Sequence, residues 1–293
     1  MPRARANGIE IEYDSFGDPK APAILLIMGS FGQLVLWPES FCHALADAGY
    51  YVIRYDNRDV GLSSKIEHAG KVRLFRAGML ATLRLPVSAP YNLDDMTQDA
   101  LGLLDALKLH DAHVVGVSMG GMIGQMLAAK HGPRVKSFVS IMSHSGNPRL
   151  PGPRLEVRLR LIKRPTRLDR ESLIHYGMQT WRLIGSPGYP VEEAALRAKV
   201  EGSFDRSNYP RGYARQLLAV LASGSRVPIL RKISAPTLII HGADDPLVPV
   251  AAAHDLQKHI PHARLEIVDG MGHDLPPQLL PRLTDLILGH VGA

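Results

Sequence analysis

Short apolar runs, each the length of one β-strand, alternate with helical patterns along most of this chain. Ala23–Ile27 is continuously apolar and is soon followed by glycine, as in a parallel strand buried on both faces. Similar runs occur at Tyr51–Tyr55, Ala112–Val117, Ser137–Met142, Thr237–Ile240 and Arg264–Val268. Helical patterns occur at Glu39–Ala48, Leu93–Leu107, Met119–Lys130, Ala251–His259 and Leu279–Leu288. This alternation predicts an α/β fold, a mostly parallel twisted sheet with helices on both faces, and the period-two segment Ile9–Tyr13 predicts an edge strand.

Two segments interrupt the alternation and contain no signal of a buried strand. Residues 146–232 are arginine-rich and helical in pattern, and residues 65–92 form a smaller apolar and basic stretch. Insertions this long in a compact fold commonly serve as lids, the alternative being exposed decoration. We therefore predict a core domain of residues 1–145 and 233–293, an inserted helical cap at 146–232, and a smaller insertion at 65–92.

The positive charge of the chain raises the question of an acidic partner. Lys and Arg outnumber Asp and Glu by 34 to 28, a net charge of +6, and basic residues concentrate between Arg149 and Arg170. Within that stretch Leu155, Leu159 and Ile162 lie at helical spacing, which indicates an amphipathic helix with a solvated basic face. Since no aromatic residues interleave with the arginines, we do not expect nucleic-acid binding.

Cysteine usage and hydropathy bear on the location of the protein. Cys42 is the single cysteine and forms no intramolecular disulfide, which indicates a reducing compartment. The basic residues at the start are not followed by the apolar stretch of a secretory signal. The apolar run from Ala23 towards Trp37 is interrupted by Gly29 and Gly32, short of the roughly 20 residues that span a bilayer. We expect a cytoplasmic protein without a membrane span.

The pentapeptide Gly116-Val117-Ser118-Met119-Gly120 is the most informative motif. It follows a predicted buried strand and opens a helical pattern, which is the context in which Gly-x-Ser-x-Gly forms a sharp turn and exposes its serine. Small residues on both sides allow the close backbone packing that this turn needs. The segment 116–124 matches neither a dinucleotide-binding nor a phosphate-binding glycine pattern, and we expect no cofactor. Ser118 is therefore the candidate nucleophile.

A nucleophilic serine needs a base, and the base needs a carboxylate to orient it. His273 lies in a glycine-rich segment after the last predicted strand, and Asp244 and Asp245 follow the strand before it. The carboxyl ends of parallel strands meet at one edge of a sheet, so these side chains and Ser118 are expected to converge there. The other histidines mostly fall on predicted helix faces or surface turns. His254, His259 and His262 have no cysteine or carboxylate at ligand spacing, and we expect no metal site.

Several motifs together resemble the α/β-hydrolases, in particular the aclacinomycin methylesterase-like branch of bacterial hydrolases. The similar segments, which occur in the same order as in that family, are Leu26–Gly29, Trp37-Pro38, Val52–Ser63, His113–Gly120, His241–Pro246 and Gly272–Pro276. The chain order of serine, aspartate and histidine is also that of the family. The resemblance covers nearly the whole chain outside the predicted cap.

The resemblance assigns roles to individual positions. In the family pattern the acid lies three residues after the glycine of His-Gly and four before a proline, which selects Asp245 over Asp244 as the partner of His273. The family's usual His-Gly at its first oxyanion loop is Met28-Gly29 here. That departure removes one side chain but leaves the following backbone amide, and the resemblance implies an oxyanion hole formed by the amides of Ser30 and Met119.

These assignments imply a serine esterase that acts on a small-molecule ester through an acyl-enzyme intermediate. A carbon–carbon bond hydrolase or a cofactor-free perhydrolase with the same triad is the alternative, and a non-catalytic receptor or scaffold is a further one. Because the nucleophile is serine, relatives that use aspartate, such as haloalkane dehalogenases and epoxide hydrolases, are excluded. An apolar cap is compatible with a homodimer. The cap arginines are either solvated or bind an acidic substrate group; they are Arg158, Arg160, Arg206 and Arg211.

Overall fold

A computed structural model describes residues 1–68, 73–83, 85–163, 165 and 167–292, with the backbone alone for Ile162. Within these residues an eight-stranded sheet has the strand order β1-β2-β4-β3-β5-β6-β7-β8. The strands are β1 (Arg3–Ala6), β2 (Ile9–Phe16), β3 (Ala23–Ile27), β4 (Tyr51–Tyr55), β5 (Ala112–Val117), β6 (Val135–Ile141), β7 (Thr237–Gly242) and β8 (Arg264–Val268). β1 and β2 are antiparallel to their neighbours and the remaining pairs are parallel. The predicted α/β fold with a mostly parallel sheet is confirmed.

Helices follow most of the strands, as the alternation predicts. They are α1 (Glu39–Asp47), α2 (Leu74–Thr82), α3 (Leu93–Ala106), α4 (Met119–Lys130), α5 (Leu155–Ile162), α6 (Arg170–Ile184), α7 (Glu193–Arg206), α8 (Pro210–Ser223), α9 (Val227–Leu230), α10 (Ala251–His259) and α11 (Leu280–Val291). Short 3-10 turns lie at Leu34–Leu36, Gly132–Arg134 and Pro277–Leu279. Among the residues described, no helix is both long enough and apolar enough to cross a membrane.

Two apolar layers enclose the sheet, one on each face. In β3, Leu25 and Ile27 pack into the layer formed with α3, α4 and α10, whereas Ile24 and Leu26 pack into the layer formed with α1 and α11. Successive side chains of a strand point to opposite faces, so a strand covered on both sides must be apolar at every position. This is the physical reason that the central strands are recognisable as continuous apolar runs.

The predicted edge strand Ile9–Tyr13 is wrong in its position. This segment is part of β2, in which Ile9–Glu12 pair with β1 and Tyr13–Phe16 pair with β4, so that β1 forms the edge. Alternation shows only that one face of a strand is buried, a property that edge and inner antiparallel strands share. The edge strand β1 is short and has no apolar run; its Arg3 instead pairs across the strands with Glu12 at 3.0 Å.

The segment between β6 and β7 contains α5 to α9 and no strand among its described residues. A small apolar cluster joins α6 and α7 and is formed by Ile174, Met178, Leu196 and Val200. The leucines of α5 do not form a buried face: Leu155 and Leu159 are 69% and 60% exposed, and Val157 is buried instead. The side chain of Ile162 and the whole of Arg164 lie outside the described residues. The division of the chain into core and cap remains a prediction.

Buried ion pairs connect this segment to the loop after β4. The Arg215 guanidinium on α8 binds the Asp59 carboxylate through two 2.7 Å hydrogen bonds, and neither side chain is exposed by more than 2%. Arg206 at the end of α7 donates to Asp56 at 2.7 Å. The bidentate pair of Arg215 and Asp59 fixes orientation as well as distance, so α8 is held in a defined position against the loop after β4.

The stability of the fold is expected to fall below neutral pH because of buried imidazoles. His113 lies in β5 rather than at the surface, with Nδ1 2.8 Å from Ser137 Oγ. Burial lowers the pKa of His113 to about 4 and that of His144 to about 3. An unfolded chain takes up protons at histidine near pH 6.5. The stabilisation is therefore fully present above pH 6.5 and is lost as the pH falls from there towards 4.

We predict that the free energy of unfolding drops by about 2 kcal/mol per buried histidine between pH 6.5 and 5. Thermal unfolding at several pH values measures this slope. His113→Asn keeps a partner for the Ser137 hydroxyl and is expected to flatten the slope. His254→Asn, at an exposed position on α10, is the control and should not change it. A slope in the His113 variant equal to that of the unchanged protein would contradict the prediction.

Candidate active site

Ser118 occupies a strained turn between β5 and α4. Its φ and ψ are 53° and −117°, a backbone conformation that residues other than glycine seldom adopt. Two neighbours hold the residue in place: its N–H donates to Ile141 O at 2.9 Å, and its C=O accepts from Ser143 Oγ at 2.7 Å. Strain that persists under such constraints is typical of functional positions. The turn is the one that the Gly-x-Ser-x-Gly motif predicts.

Glycine is required on both sides of this serine because backbones approach closely there. A Cβ on Gly120 would overlap the carbonyl oxygen of Ile27 at the end of β3, and a Cβ on Gly116 would overlap that of Gly120. The first turn of α4 therefore packs directly against the ends of β5 and β3. This contact positions Ser118 beside the loop that follows β3.

Gly120→Ala is expected to destabilise the protein by about 1–3 kcal/mol, the typical penalty for forcing extra atoms into a packed site. Ester hydrolysis should fall as well, because the turn between β5 and α4 that carries Ser118 has to shift. Gly202→Ala is the matched control, since Gly202 lies within α7 and a Cβ there meets no atom within 4 Å. That change should stabilise the chain by up to about 1 kcal/mol. Urea unfolding measures both, and a Gly120→Ala variant as stable as the unchanged protein would contradict the expectation.

His273 and Asp245 lie next to the serine, as the sequence predicts. His273 Nε2 is 3.1 Å from Ser118 Oγ, and His273 Nδ1 is 2.7 Å from Asp245 Oδ2. His273 is 7% and Asp245 3% exposed. Because the carboxylate accepts at Nδ1, that nitrogen carries the proton and Nε2 is left to accept from the serine hydroxyl. The backbone N–H of His273 donates to Ile184 O at 2.7 Å, which fixes the loop.

The two adjacent aspartates have different partners. Asp245 Oδ1 accepts from the N–H groups of Leu247 and Val248 at 2.9 and 2.8 Å, while its Oδ2 faces the histidine. Asp244 Oδ2 accepts instead from the N–H of Gly270 at 3.0 Å and ties two loops together. Asp245 is thus the carboxylate that reaches His273, and Asp244 is a hydrogen-bonding loop residue.

A second buried histidine lies close to the same carboxylate. His241 Nε2 donates to Val248 O at 2.8 Å and is 3.6 Å from Asp245 Oδ2. Burial lowers the pKa of His241, so its imidazole is neutral near pH 7. His241 therefore does not offset the negative charge of Asp245, and this charge can stabilise His273 when its ring is positively charged.

Ser30 and Met119, whose N–H groups are the predicted oxyanion donors, contact each other through their side chains, and the loop of Ser30 lies beside Ser118. Ser30 Oγ donates to Met119 Sδ at 3.0 Å, and a Cβ on Gly29 would lie 3.1 Å from Ser118 Cβ. Met119 is the first residue of α4, where backbone N–H groups have no intrahelical acceptor and carry partial positive charge. Neither the Ser30 nor the Met119 N–H bonds to another described residue.

The sequence analysis missed two residues that support these groups. Asn57 Nδ2 donates to Met28 O at 3.0 Å and holds the loop after β3. It lies within the segment Val52–Ser63 that carries the family resemblance, which is the signal that points to it. Gln216 accepts from the N–H of Phe31 at 3.0 Å and has no such signal, because it is a single polar residue in a helix distant in sequence.

The four arginines singled out in the predicted cap divide into two groups. Arg158 and Arg211 are exposed, as expected for solvated side chains. Arg160 and Arg206 are instead used within the protein: Arg160 donates to Tyr176 O at 2.5 Å and lies over the tyrosine ring, and Arg206 binds Asp56. In the part of the chain described here, no group of three or more His, Cys, Asp or Glu side chains is arranged to hold a metal ion.

Comparison with known proteins relates this site to a family. The model of the alpha/beta hydrolase fold family matches residues 22–277. Rhodomycin D methylesterase DauP of Streptomyces sp. (strain C5) is 30% identical, with 96% of this chain and 94% of that protein covered.

Two solved structures resemble the fold. An enol-lactonase from Burkholderia xenovorans LB400 has a TM-score of 0.76 at 23% identity over the full length of both chains. A meta-cleavage product hydrolase from Pseudomonas fluorescens IP01 has a TM-score of 0.77 at 19% identity, with 100% of this chain and 97% of that one covered. The family expected from the motifs is confirmed, and its methylesterase-like branch agrees with the similarity to DauP. The chain belongs to the alpha/beta hydrolase fold family.

Proposed function

We propose that the protein is a serine hydrolase that cleaves small-molecule carboxylic esters through an acyl-enzyme intermediate. The observation that carries the proposal is the continuous hydrogen-bonded path from Ser118 Oγ through the His273 ring to Asp245, at 3.1 and 2.7 Å. A serine at a strained turn that is bonded to an oriented imidazole is the arrangement that activates a hydroxyl nucleophile.

In the first half of the reaction, His273 Nε2 takes the hydroxyl proton while Ser118 Oγ attacks the ester carbonyl carbon. Asp245 keeps the proton on Nδ1 and stabilises the positive charge that develops on the ring. His273 then returns the proton to the departing alcohol as the carbon–oxygen bond breaks. In the second half, His273 Nε2 takes a proton from a water molecule whose oxygen attacks the acyl carbon, and then returns that proton to Ser118 Oγ as the acyl–oxygen bond breaks and the acid leaves.

The tetrahedral intermediates place negative charge on the former carbonyl oxygen. The N–H groups of Ser30 and Met119 are the donors that we assign to this oxygen, at about 3 kcal/mol of transition-state stabilisation each. The dipole of α4 adds to the effect because the N-terminus of the helix faces the developing charge. No step in this scheme requires a cofactor.

Ester hydrolysis is favoured over carbon–carbon bond hydrolysis by the relative of higher identity. DauP, at 30% identity, is named a methylesterase, whereas the meta-cleavage product hydrolase is similar at the level of fold alone. A perhydrolase with the same triad differs from an esterase only in pocket contacts, and no contact in the site specifically favours it. The size of the ester that the protein accepts is left to be determined with a panel of substrates.

A fluorophosphonate probe and an ester panel test the proposal. We predict covalent labelling at Ser118, located by peptide mass spectrometry, and hydrolysis within a panel graded by acyl length that includes methyl esters of larger acids. Turnover of one large methyl ester alone would define a dedicated methylesterase, and a broad short-chain optimum a generalist. An inert Ser118 together with no hydrolysis of any ester would overturn the proposal in favour of a binding protein.

A further inference from the structure

The loop that carries Ser30 is a tight turn with a phenylalanine in an unfavourable position. The Gly32 N–H donates to Gly29 O at 3.2 Å, which closes a four-residue turn. Phe31, the third residue of the turn, has a φ of +67°, whereas Ser30 is not in the positive range. That sign pattern belongs to a type II turn, in which the third position favours glycine or asparagine. A bulky residue there is strained.

Helix α8 supplies the contacts that hold Phe31. Gln216 Oε1 accepts from the Phe31 N–H at 3.0 Å, and Gln216 Nε2 donates to Arg58 O at 2.9 Å. The Gln216 side chain is fully buried, so its amide is held between these two partners. Tyr213, three residues earlier on the same helix, packs edge-to-face against the Phe31 ring at 5.4 Å.

α8 is itself anchored beside this contact. Arg215, adjacent to Gln216, forms the bidentate pair with Asp59. Arg58, whose carbonyl accepts from Gln216, binds Asp99 through its own guanidinium at 2.5 and 2.6 Å. A chain of polar contacts therefore runs from α3 and the loop after β4 through α8 to the N–H of Phe31.

We propose that Gln216 is a positioning residue for the oxyanion hole: it holds Phe31 in the left-handed conformation that keeps the Ser30 N–H aimed at the site. The hydrogen bond between Gly32 and Gly29 O fixes the plane of the Gly29–Ser30 peptide, and the N–H of that peptide is the Ser30 donor. When the Gln216 contact is lost, Phe31 relaxes towards negative φ, the turn opens and the donor rotates away. This inference rests on the proposed function, because it assigns the Ser30 amide to the oxyanion.

Phe31→Gly separates this role from a merely structural one. Glycine adopts positive φ without steric cost, so a turn with glycine at position 31 no longer needs the Gln216 contact. A glutamine that only held α8 against the loop after β4 would matter equally with either residue at that position. The informative quantity is therefore the effect of one Gln216 substitution measured with phenylalanine and with glycine at position 31.

The kinetic experiment measures kcat and KM for the best substrate of the ester panel in four proteins: unchanged, Gln216→Met, Phe31→Gly and the double variant. Methionine fills the volume of glutamine but cannot accept the hydrogen bond. With Phe31 in place, we expect Gln216→Met to lower kcat by about 10- to 100-fold, up to the loss caused by removing a whole oxyanion donor, and to change KM little. In the Phe31→Gly background, the factor should shrink to within about 3-fold, which is near the error of additivity for uncoupled sites.

Ser223→Ala is the matched control on the same helix. Ser223 Oγ accepts from the Leu93 N–H at 2.9 Å and donates to Ala219 O at 2.8 Å, so it too joins one backbone donor to one backbone acceptor. Its removal should lower Tm without changing kcat. Where Gln216→Met does not fold, Gln216→Asn serves instead, because its amide is one methylene too short to reach the Phe31 N–H.

A crystal structure of the Gln216 variant gives a readout that does not depend on ester hydrolysis. We expect residue 31 at negative φ and the Gly32–Gly29 hydrogen bond broken. If residue 31 keeps its positive φ, or if kcat falls equally in both backgrounds, the inference is overturned. If the unchanged protein hydrolyses no ester, the proposed function fails by itself, and the conformation of residue 31 still decides whether Gln216 holds the turn.

Discussion

Replacing Ser118 with alanine is expected to lower the turnover of ester substrates by about four orders of magnitude or more. The change removes the atom that forms the acyl-enzyme bond but leaves the helix N-terminus and the donors at Ser30 and Met119 in place. What remains is the modest acceleration that binding and oxyanion stabilisation give to direct attack by water. Initial rates with the best substrate of the ester panel measure the loss, and labelling by fluorophosphonate should disappear with it.

Ser140→Ala is the control for this experiment. Ser140 lies on β6, directly opposite Gly116 of β5 in the strand register, and is fully buried like a core residue. Its hydroxyl has no hydrogen-bond partner among the described residues, so its removal should leave activity and labelling unchanged. If Ser118→Ala keeps more than a few per cent of the hydrolysis, another residue is the nucleophile and the assignment fails.

Those elements of the fold that are buried on both faces could be predicted from the sequence. The bounds of β3, β4, β5 and α4 agree with the structure residue by residue, and so do those of the more exposed β8 and α10. The sequence of β1 is uninformative because its pairing depends on charges of a neighbouring strand rather than on an apolar run. The inward face of α5 was also unpredictable, since leucines at helical spacing show that a helix has an apolar side and not which side meets the protein.

The candidate site divides in a similar way. Ser118 follows from a local motif, because the turn that presents it is built by its own neighbours. The choice between Asp244 and Asp245 needed the family pattern, since a turn in which the Asp245 N–H meets Gly242 O decides which carboxylate faces inward. Gln216 and Phe31 are 185 positions apart, and no local pattern relates them. Side chains that position others across the fold are the class that a single sequence does not reveal.

Asp245→Asn is expected to lower kcat by about four orders of magnitude with little change in KM. The N–H groups of Leu247 and Val248 both point at one carboxylate oxygen. In the variant they bind the amide oxygen, so the NH₂ group has to face His273 Nδ1. The ring is then driven to the tautomer with its proton on Nε2, which cannot accept a proton from Ser118. The catalytic loss therefore comes from a misplaced proton rather than from a displaced residue.

The neighbouring aspartate provides the matched comparison. Asp244→Asn keeps an oxygen for the Gly270 N–H and leaves the His273 ring untouched, so its kcat should stay within about 3-fold of the unchanged protein. Both variants carry the same change of charge at adjacent positions, and a general electrostatic effect on the site would lower both rates alike. Equal losses, or a larger loss at position 244, would show that the carboxylate of Asp245 does not set the tautomer of His273. A loss confined to position 245 supports the specific contact between Asp245 and His273 Nδ1, since both variants remove the same charge and only the Asp245 carboxylate bonds to the ring.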